Sequence, residues 1–275
     1  MKHILIILIF TIVSCSNDNF IESSKLGKLK VIAIQADKPE INNASTITIT
    51  PLVSYIEGGN TTLDYSWEAC PDPGINFGAE SNCESSPSSL KLSGSSTYNT
   101  SLLASTKFTG NLTPLSLVIP ANYFIYLSSL DQTIQYNGLD LIVIITLKDQ
   151  LNSVSTKAIK RIRLSTKPSI DLNTNPSFAS IQFNQSNLSS FPVEVGNMSL
   201  SGTSSAESYS LETNVGLKSF TEEMTISWYA SDGTFLFNRR NKSEENQYTP
   251  EGSSGVFIAV YRDGRGGVFS QILNF

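Results

Sequence analysis

Histidine is almost absent from this chain: its 275 residues contain one, His3, within an apolar N-terminal segment. If that segment is removed, no histidine remains, which excludes Ser-His-Asp and Cys-His catalysis and every histidine-ligated metal site. The three cysteines are too few for a four-cysteine zinc site. Charged residues make up only 16% of the chain and hydrophobic residues 40%, with a formal net charge of −5. This composition excludes a disordered tail and predicts a folded protein.

Long hydrophobic runs are also absent, since the longest apolar stretch covers residues 4–13 and is too short to remain as a membrane-spanning helix. The stretch ends in Ile12-Val13-Ser14-Cys15, which resembles the lipobox of bacterial lipoproteins. In that family a signal peptidase cuts before the cysteine, which then carries lipid chains. The resemblance implies a signal peptide over residues 1–14, lipid attachment at Cys15 and a tether over residues 15–27. Buried acyl chains hold such a protein on a membrane without a transmembrane helix. The alternative is an ordinary secretory signal in which Cys15 is incidental.

The residue after the lipobox bears on the location. Ser16 follows the cysteine, and by resemblance to lipoproteins of bacteria with two membranes, a serine there implies transfer to the outer membrane. The expected location is therefore the outer membrane of the bacterial cell envelope. Whether the protein faces inward or is exposed at the cell surface stays open.

If Cys15 carries lipid, Cys70 and Cys83 are the remaining cysteines and allow one pairing. An exported compartment is oxidising enough to form a disulfide. The pair would close a loop rich in Gly, Ser and Asn. It lacks the C-x-x-C spacing that is usual for a redox-active pair, so we predict a structural disulfide.

Apolar and polar residues alternate with a period of two in several segments, and no long segment shows the 3.6-residue period of an amphipathic helix. Leu63, Tyr65 and Trp67 share one face of such a segment, and residues 141–147 are apolar on both faces. Alternating segments separated by Gly, Pro, Asn and Ser are typical of short antiparallel strands. A short helix is considered only near residues 121–130.

The same arrangement appears twice along the chain. A strand with an inward-facing tryptophan, Trp67 or Trp228, is followed by an apolar strand and then by a turn that begins at Asp149 or Asp263. The positions after such an aspartate tolerate the positive φ of a hairpin turn. The first copy is longer, which predicts an insertion around residues 70–101. The predicted domains are 28–166, with the disulfide-bearing insertion, and 167–275.

The segment that leads into Trp67, Glu57-Gly-Gly-Asn-Thr-Thr-Leu-Asp-Tyr-Ser-Trp67, together with the later aspartate turn, resembles the Ig-like, PKD-like and cadherin-like β-sandwiches of bacterial surface proteins. The resemblance implies an all-β fold of two tandem antiparallel Ig-like sandwiches, with the tryptophan packed between the sheets. The Trp-Asp-Phe-Gly-Asp-Gly motif of PKD domains is absent, as are the acidic calcium motifs of cadherins. We therefore expect no metal and no cofactor, although the sequence does not decide whether calcium binds.

Carboxylates are the most plausible catalytic groups that remain. A glycosidase needs two of them roughly 5 to 9.5 Å apart. Asp64 and Glu68 share a face of one strand but would lie about 13 Å apart. Ser88-Ser89-Leu90-Lys91 matches the S-x-x-K motif of penicillin-binding enzymes without its partner motifs. We predict that the protein is not an enzyme.

No nucleotide-binding motif occurs, and the basic clusters at residues 157–163 and 239–242 are small in an acidic chain. We interpret these clusters as charges that protect sheet edges from aggregation, and we expect neither nucleotide nor nucleic acid as a partner.

The sequence thus predicts a non-catalytic, lipid-anchored envelope or surface protein that serves in adhesion, in binding a protein or a glycan, or as a structural spacer. The alternative is an envelope glycan hydrolase that uses an Asp/Glu pair. Sandwich domains present loops at their ends, where variation leaves the core intact. The residues predicted to lie in binding loops are Asp72, Asn76, Arg262, Asp263 and Arg265.

Overall fold

A computed structural model describes residues 24–58, 61–72, 82–99, 108–242 and 244–275. The predicted signal peptide, the lipid-attachment residue Cys15 and the loop residue Asn76 lie outside the described residues. None of the helices in these ranges is long and apolar enough to cross a membrane. The predictions of lipid attachment and of the outer-membrane location therefore stay predictions.

The first half of the chain forms two β-sheets. The first sheet is antiparallel and consists of β1 (Lys30–Ala36), β3 (Ser45–Tyr55), β6 (Phe108–Asn111) and β7 (Leu115–Ile119). The second sheet has the order β2 (Glu40–Ile41), β9 (Ser155–Leu164), β8 (Leu139–Asp149), β4 (Thr62–Pro71) and β5 (Leu92–Asn99). Among the described strands of this half, only β2 and β9 pair in parallel. Two short helices precede β8, namely α1 (Asn122–Ser128) and α2 (Gln132–Asn137).

The second half repeats the two-sheet arrangement. One sheet has the order β11 (Ser186–Asn187), β10 (Ser180–Phe183), β12 (Gly196–Ser201), β18 (Asn246–Thr249) and β16 (Thr234–Phe235). The other has the order β17 (Arg239–Asn241), β15 (Thr225–Ala230), β19 (Val256–Arg262) and β20 (Val268–Asn274). A separate hairpin consists of β13 (Ser208–Thr213) and β14 (Gly216–Thr221).

Each pair of sheets encloses its own apolar core. In the first half, alternate residues of β3 and β7 on one sheet pack against alternate residues of β4 and β8 on the other. In the second half, Trp228 is fully buried and its ring stacks on Phe235 of the opposite sheet at 5.9 Å between centroids. In both halves the central hairpin pairs with the strand that carries the tryptophan, as in Ig-like domains. The predicted all-β fold of two antiparallel sandwiches is confirmed.

Trp67 differs from Trp228 in its burial. Leu63 and Tyr65 on the same face of β4 are buried, but Trp67 is only half-buried. Its ring lies over Gly94 of the edge strand β5, where an added Cβ would come within 2.8 Å of the indole. Because Gly94 has no side chain to cover the ring, the indole stays partly exposed. Trp67 still packs against the first core with Leu63 and Tyr65, so it faces inward as expected, but it is not completely buried.

The central strand of each half is apolar on both faces because each outer face is covered. On β8, Ile142 and Ile144 pack against Cys70 and Cys83. These cysteines form the predicted disulfide, with a Cα–Cα distance of 5.7 Å. The disulfide itself therefore covers this part of the outer face of β8.

The outer face of β19 is covered by the other half of the chain. Val256, Ile258 and Val260 pack against Ile32 and Leu52 of the first sandwich in a third apolar cluster. Two backbone hydrogen bonds also cross between the halves, from the N–H of Leu26 to the carbonyl of Ala230 at 2.9 Å and from the N–H of Ala230 to the carbonyl of Ser24 at 3.1 Å. Side-chain packing and this short parallel bridge join the halves. The domain boundary near residue 167 stays a prediction.

The region that makes the first half longer has two parts. One is the disulfide-bearing loop, which continues into a 3₁₀ turn at Ser88–Leu90. The other is the pair of helices before β8, which includes the short helix expected near residues 121–130. Asp131 caps α2, because its carboxylate accepts the backbone N–H of Ile134 at 3.0 Å.

Candidate functional site

The turn between β19 and β20 contains three of the predicted loop residues and is built around a buried aspartate. Asp263 is 1% exposed, and its carboxylate accepts the backbone N–H groups of Arg265 at 2.7 Å and Gly267 at 2.9 Å. Gly264 and Gly266 have φ values of +80° and +112°. The positive φ expected after the aspartate is thus present. The Asp263 side chain holds the turn together from inside.

Asp149 holds the corresponding turn of the first half in the same way. It is fully buried and accepts hydrogen bonds from the hydroxyls of Tyr55 and Thr61, both at 2.6 Å. It also accepts the backbone N–H of Leu151 at 2.8 Å and the amide of Asn152 at 2.6 Å. Burial alone would raise the pKa of Asp149, but these donors hold that pKa well below its usual range. Both turn aspartates therefore stabilise their hairpins.

Arg265 points into the protein and joins the two halves. Its side chain is 6% exposed and bonds Glu40 of β2 and Glu222, each at 3.2 Å. Lys167 adds a second cation 3.3 Å from Glu40. The guanidinium also lies 4.4 Å from the centroid of the Tyr209 ring. Since Arg265 is enclosed in this network, the structure places it away from the surface, and a surface partner would not contact its guanidinium directly.

The same network brings together two carboxylates, as a glycan hydrolase would require. Glu40 and Glu222 both bind the guanidinium of Arg265. Burial raises the pKa of Glu222, while the backbone N–H of Glu207 and the charge of Arg265 lower it and only partly offset that effect. The side chains of Glu40 and Glu222 are only 1% and 3% exposed. A general acid has to reach the proton that it transfers, and groups this enclosed do not reach a bound glycan. The pair is arranged as a buried ion-pair network.

The two carboxylates of β4 that the sequence suggested as a catalytic pair do not form one. Asp64 accepts a hydrogen bond from Gln150 at 2.7 Å, and Glu68 lies four residues further along the same strand. Within the described ranges no cluster of His, Cys, Asp or Glu is placed to hold a metal ion.

A cleft of about 370 Å³ lies beside the β19–β20 turn, between β1 and β9. Arg262 and Arg265 line it directly, and Asp72, at the end of β4, pairs at 2.9 Å with Arg161, which also lines it. Five basic residues and one acidic residue are among those that line this cleft, although the side chains of Lys160 and Arg265 are themselves buried: Lys160, Arg161, Arg163, Arg262, Arg265 and Asp140. The junction of the two halves thus presents a basic concave surface.

Sequence reasoning missed most of this junction. The basic residues of β9 were interpreted as edge charges, and β9 is indeed unpaired on one side except where β2 meets Arg163 and Leu164. Glu40 and Lys167 had no local signal, because Glu40 is an isolated acid far along the chain from its partners. In β9, Lys157, Arg161 and Arg163 share one face and Lys160 lies on the other, so the alternation of the strand did not indicate the junction.

Comparison with known proteins adds little to this description. No protein-family model matches the chain, and no curated protein matches it. Among solved structures, red sea bream transglutaminase aligns at 10% identity and a TM-score of 0.29, over 91% of this chain and 31% of that chain. The Bacillus subtilis sporulation control protein Spo0M aligns at 11% identity and a TM-score of 0.26, over 90% of this chain and 91% of that one. A Salmonella alpha-2-macroglobulin variant aligns at 12% identity and a TM-score of 0.28, over 94% and 18%.

This chain therefore spans about a third of the transglutaminase, 31% of its length. At these scores the alignments support no conclusion about activity, and the fold assignment rests on the sheets themselves.

Proposed function

We propose that this protein is a non-catalytic, lipid-anchored binding protein of the bacterial outer membrane, and that the cleft between its two sandwiches contacts a glycan or protein partner. The lipobox-like Ile12-Val13-Ser14-Cys15 supports the anchor. The observation that carries the binding role is the basic cleft beside the β19–β20 turn, where Arg161, the ion-pair partner of Asp72, is among the lining residues.

The proposal that the protein is not an enzyme is supported by the structural roles of its buried carboxylates. Asp149, Asp263, Glu40 and Glu222 are each fixed by hydrogen bonds or ion pairs inside the protein. In these positions they stabilise turns and the junction between the sandwiches, and substrate does not reach them. Loops on a sandwich scaffold are a common place for binding residues.

Replacement of Cys15 tests the anchor. The Cys15→Ser protein should incorporate no labelled fatty acid and should leave the membrane fraction, whereas the wild type should incorporate the label and sediment with outer membranes. Wild-type protein recovered unlabelled and soluble would contradict the anchoring part of the proposal. Protease treatment of intact cells then separates an inward-facing protein from a surface-exposed one.

A further inference from the structure

The hairpin of β13 and β14 has one edge that is not covered by any other described strand. Among the described strands β14 pairs only with β13, and all of its residues are exposed. The other edge of the hairpin, on β13, is held by α2. The side-chain amide of Asn137 donates to the carbonyl of Glu212 at 2.8 Å and accepts the N–H of Glu212 at 2.7 Å. The outer edge of β14 is therefore the side on which another strand can extend the hairpin.

The register of the hairpin determines which backbone groups of β14 face this edge. Directly after β14, Glu222 donates its N–H to the carbonyl of Glu207 at 3.0 Å, so these residues form a hydrogen-bonded pair. Hydrogen-bonded and non-hydrogen-bonded pairs alternate along an antiparallel ladder. Leu217, Ser219 and Thr221 therefore point their N–H and C=O groups away from β13, towards the free edge.

The outward-pointing residues are arranged symmetrically about Ser219. An antiparallel second copy of β14, related by a twofold axis at Ser219, places Leu217 opposite Thr221 of that copy and Ser219 opposite its own equivalent. Each outward N–H then meets an outward C=O, so this register uses all the backbone groups of the free edge. A register centred on Lys218 leaves Thr221 without a strand residue opposite it and places two lysines opposite each other, which is unfavourable.

The side chains that meet in the Ser219-centred register are compatible with each other. Lys218 of one copy lies opposite Phe220 of the other, whose ring stacks on Tyr209 at 5.7 Å between centroids. An ammonium group next to an aromatic face is attracted to it. Lys218 is the only charged residue of β14, so this register brings no like charges together across the edge.

Pairing of two copies would also stabilise the hairpin. A two-stranded sheet is marginally stable by itself, and pairing across the twofold axis joins the two hairpins into a four-stranded antiparallel sheet. A strand of six residues makes a small interface. We therefore expect a weak dimer whose population depends on protein concentration.

We propose that the protein forms a homodimer in which the free edges of two β14 strands pair in antiparallel fashion, with the twofold axis at Ser219. A second copy is favoured as the occupant because a single register satisfies the whole edge and places each lysine next to a phenylalanine. No residue of β14 lines the basic cleft. The dimer is therefore independent of the binding site and of the lipid anchor proposed above.

Oxidative crosslinking of cysteine variants of the full chain, in native envelopes and in detergent, tests the register. The Cα atoms of a hydrogen-bonded antiparallel pair lie about 5.5 Å apart, within the range of about 4.4–6.8 Å that is usual for disulfides. Ser219→Cys should therefore form a covalent dimer. Leu217→Cys is the matched control on the same exposed edge, and it should not crosslink because its two Cα atoms would lie about 14 Å apart. Oxidised wild type reports any crosslinking through Cys15.

Analytical ultracentrifugation of the detergent-solubilised full chain tests the association itself. The dimer fraction of the wild type should rise with protein concentration. Ser219→Pro should weaken the dimer about tenfold or more, because proline has no N–H to donate to the second copy. The hairpin itself should remain folded, since the N–H of Ser219 points away from β13. Ser219→Ala keeps the N–H and should dimerise like the wild type.

Several results would overturn the homodimer. These are a chain that stays monomeric at every concentration, a dimer that is unaffected by Ser219→Pro, and equal crosslinking at residues 217 and 219. Crosslinking of Ser219→Cys to a different protein in native envelopes, in place of a second copy, would show another occupant of the edge and would also overturn it. If Ser219→Pro melts well below the wild type, the contrast between Ser219→Cys and Leu217→Cys decides the outcome.

Discussion

At the scale of single residues, the two hairpin aspartates show how buried charge is used in this protein. Asp149 and Asp263 begin equivalent turns, and each gathers backbone and side-chain donors around its carboxylate. A carboxylate that accepts several hydrogen bonds fixes a turn because each donor would otherwise lose its partner. The two turn aspartates therefore stabilise the hairpins, and their carboxylates are not available to contact a partner.

Asp149→Asn should lower the free energy of unfolding by about 1.5–3 kcal/mol, since the amide cannot accept all the hydrogen bonds that reach the carboxylate. Asp171→Asn, at an exposed position, should leave it nearly unchanged. Urea unfolding at neutral pH measures both. A drop in the Asp171 variant as large as that in the Asp149 variant would contradict the account.

The contribution of Asp149 to the free energy of unfolding should depend on pH. Its pKa is lowered in the folded state, so its contribution is complete above the unfolded value of about 3.9 and is lost as the pH falls towards the folded value. The difference between wild type and Asp149→Asn should therefore shrink as the pH falls below about 4. A difference that stays constant down to pH ~2 would argue against a charged Asp149.

At the scale of strands, the central strand of each sandwich is apolar on both faces because something covers each outer face. The Cys70–Cys83 disulfide covers part of β8, and the first sandwich covers β19. The disulfide spans 13 residues of sequence and lies directly on Ile142 and Ile144. It both closes a loop and completes an apolar cluster.

Replacing both cysteines, as Cys70→Ser together with Cys83→Ser, should lower stability by about 3 kcal/mol, the value expected from loop closure alone. Reduction of the wild type provides the matched control. The reduced wild type and the double variant should have similar melting temperatures, both below that of the oxidised wild type. If the double variant melts like the oxidised wild type, the loop does not stabilise the sandwich. Free thiols at both positions in protein from the native envelope would also contradict the disulfide.

The sequence predicted the strands better than it predicted their surroundings. The alternation of Leu63 and Tyr65 placed them correctly in the core, because a period of two directly fixes which face a residue occupies. It also placed Trp67 against the core, but it did not predict the partial exposure of the ring, which lies over Gly94 of a neighbouring strand. The disulfide was predictable since two cysteines allow one pairing, whereas the contact of Glu40 with Arg265 depends on how the two halves pack.

At the scale of the whole molecule, the two sandwiches are joined by an apolar cluster and by the ion-pair network around Arg265. Ile258 is fully buried in the cluster, beside Ile32 of the first half. Glu40 of the first half binds Arg265 of the second. The cleft is built from both halves, so its geometry depends on their packing.

Ile258→Ala should cost about 2–5 kcal/mol, as for other buried large-to-small substitutions. Because the cluster couples the halves, hydrogen exchange should show reduced protection in β1 of the first sandwich as well as in β19. Ile170→Ala, at a position that is 91% exposed, should change neither. Loss of protection confined to β19 would show that the sandwiches unfold independently.

The central claim is that the protein binds its partner without chemical change, and one experiment tests it directly. An acidic envelope polysaccharide is incubated with the full chain and passed over a size-exclusion column with mass detection. The account predicts that the polysaccharide elutes with the protein and keeps its original chain length. Shortened products would establish the hydrolase alternative, and polysaccharide that elutes free and intact would contradict glycan binding.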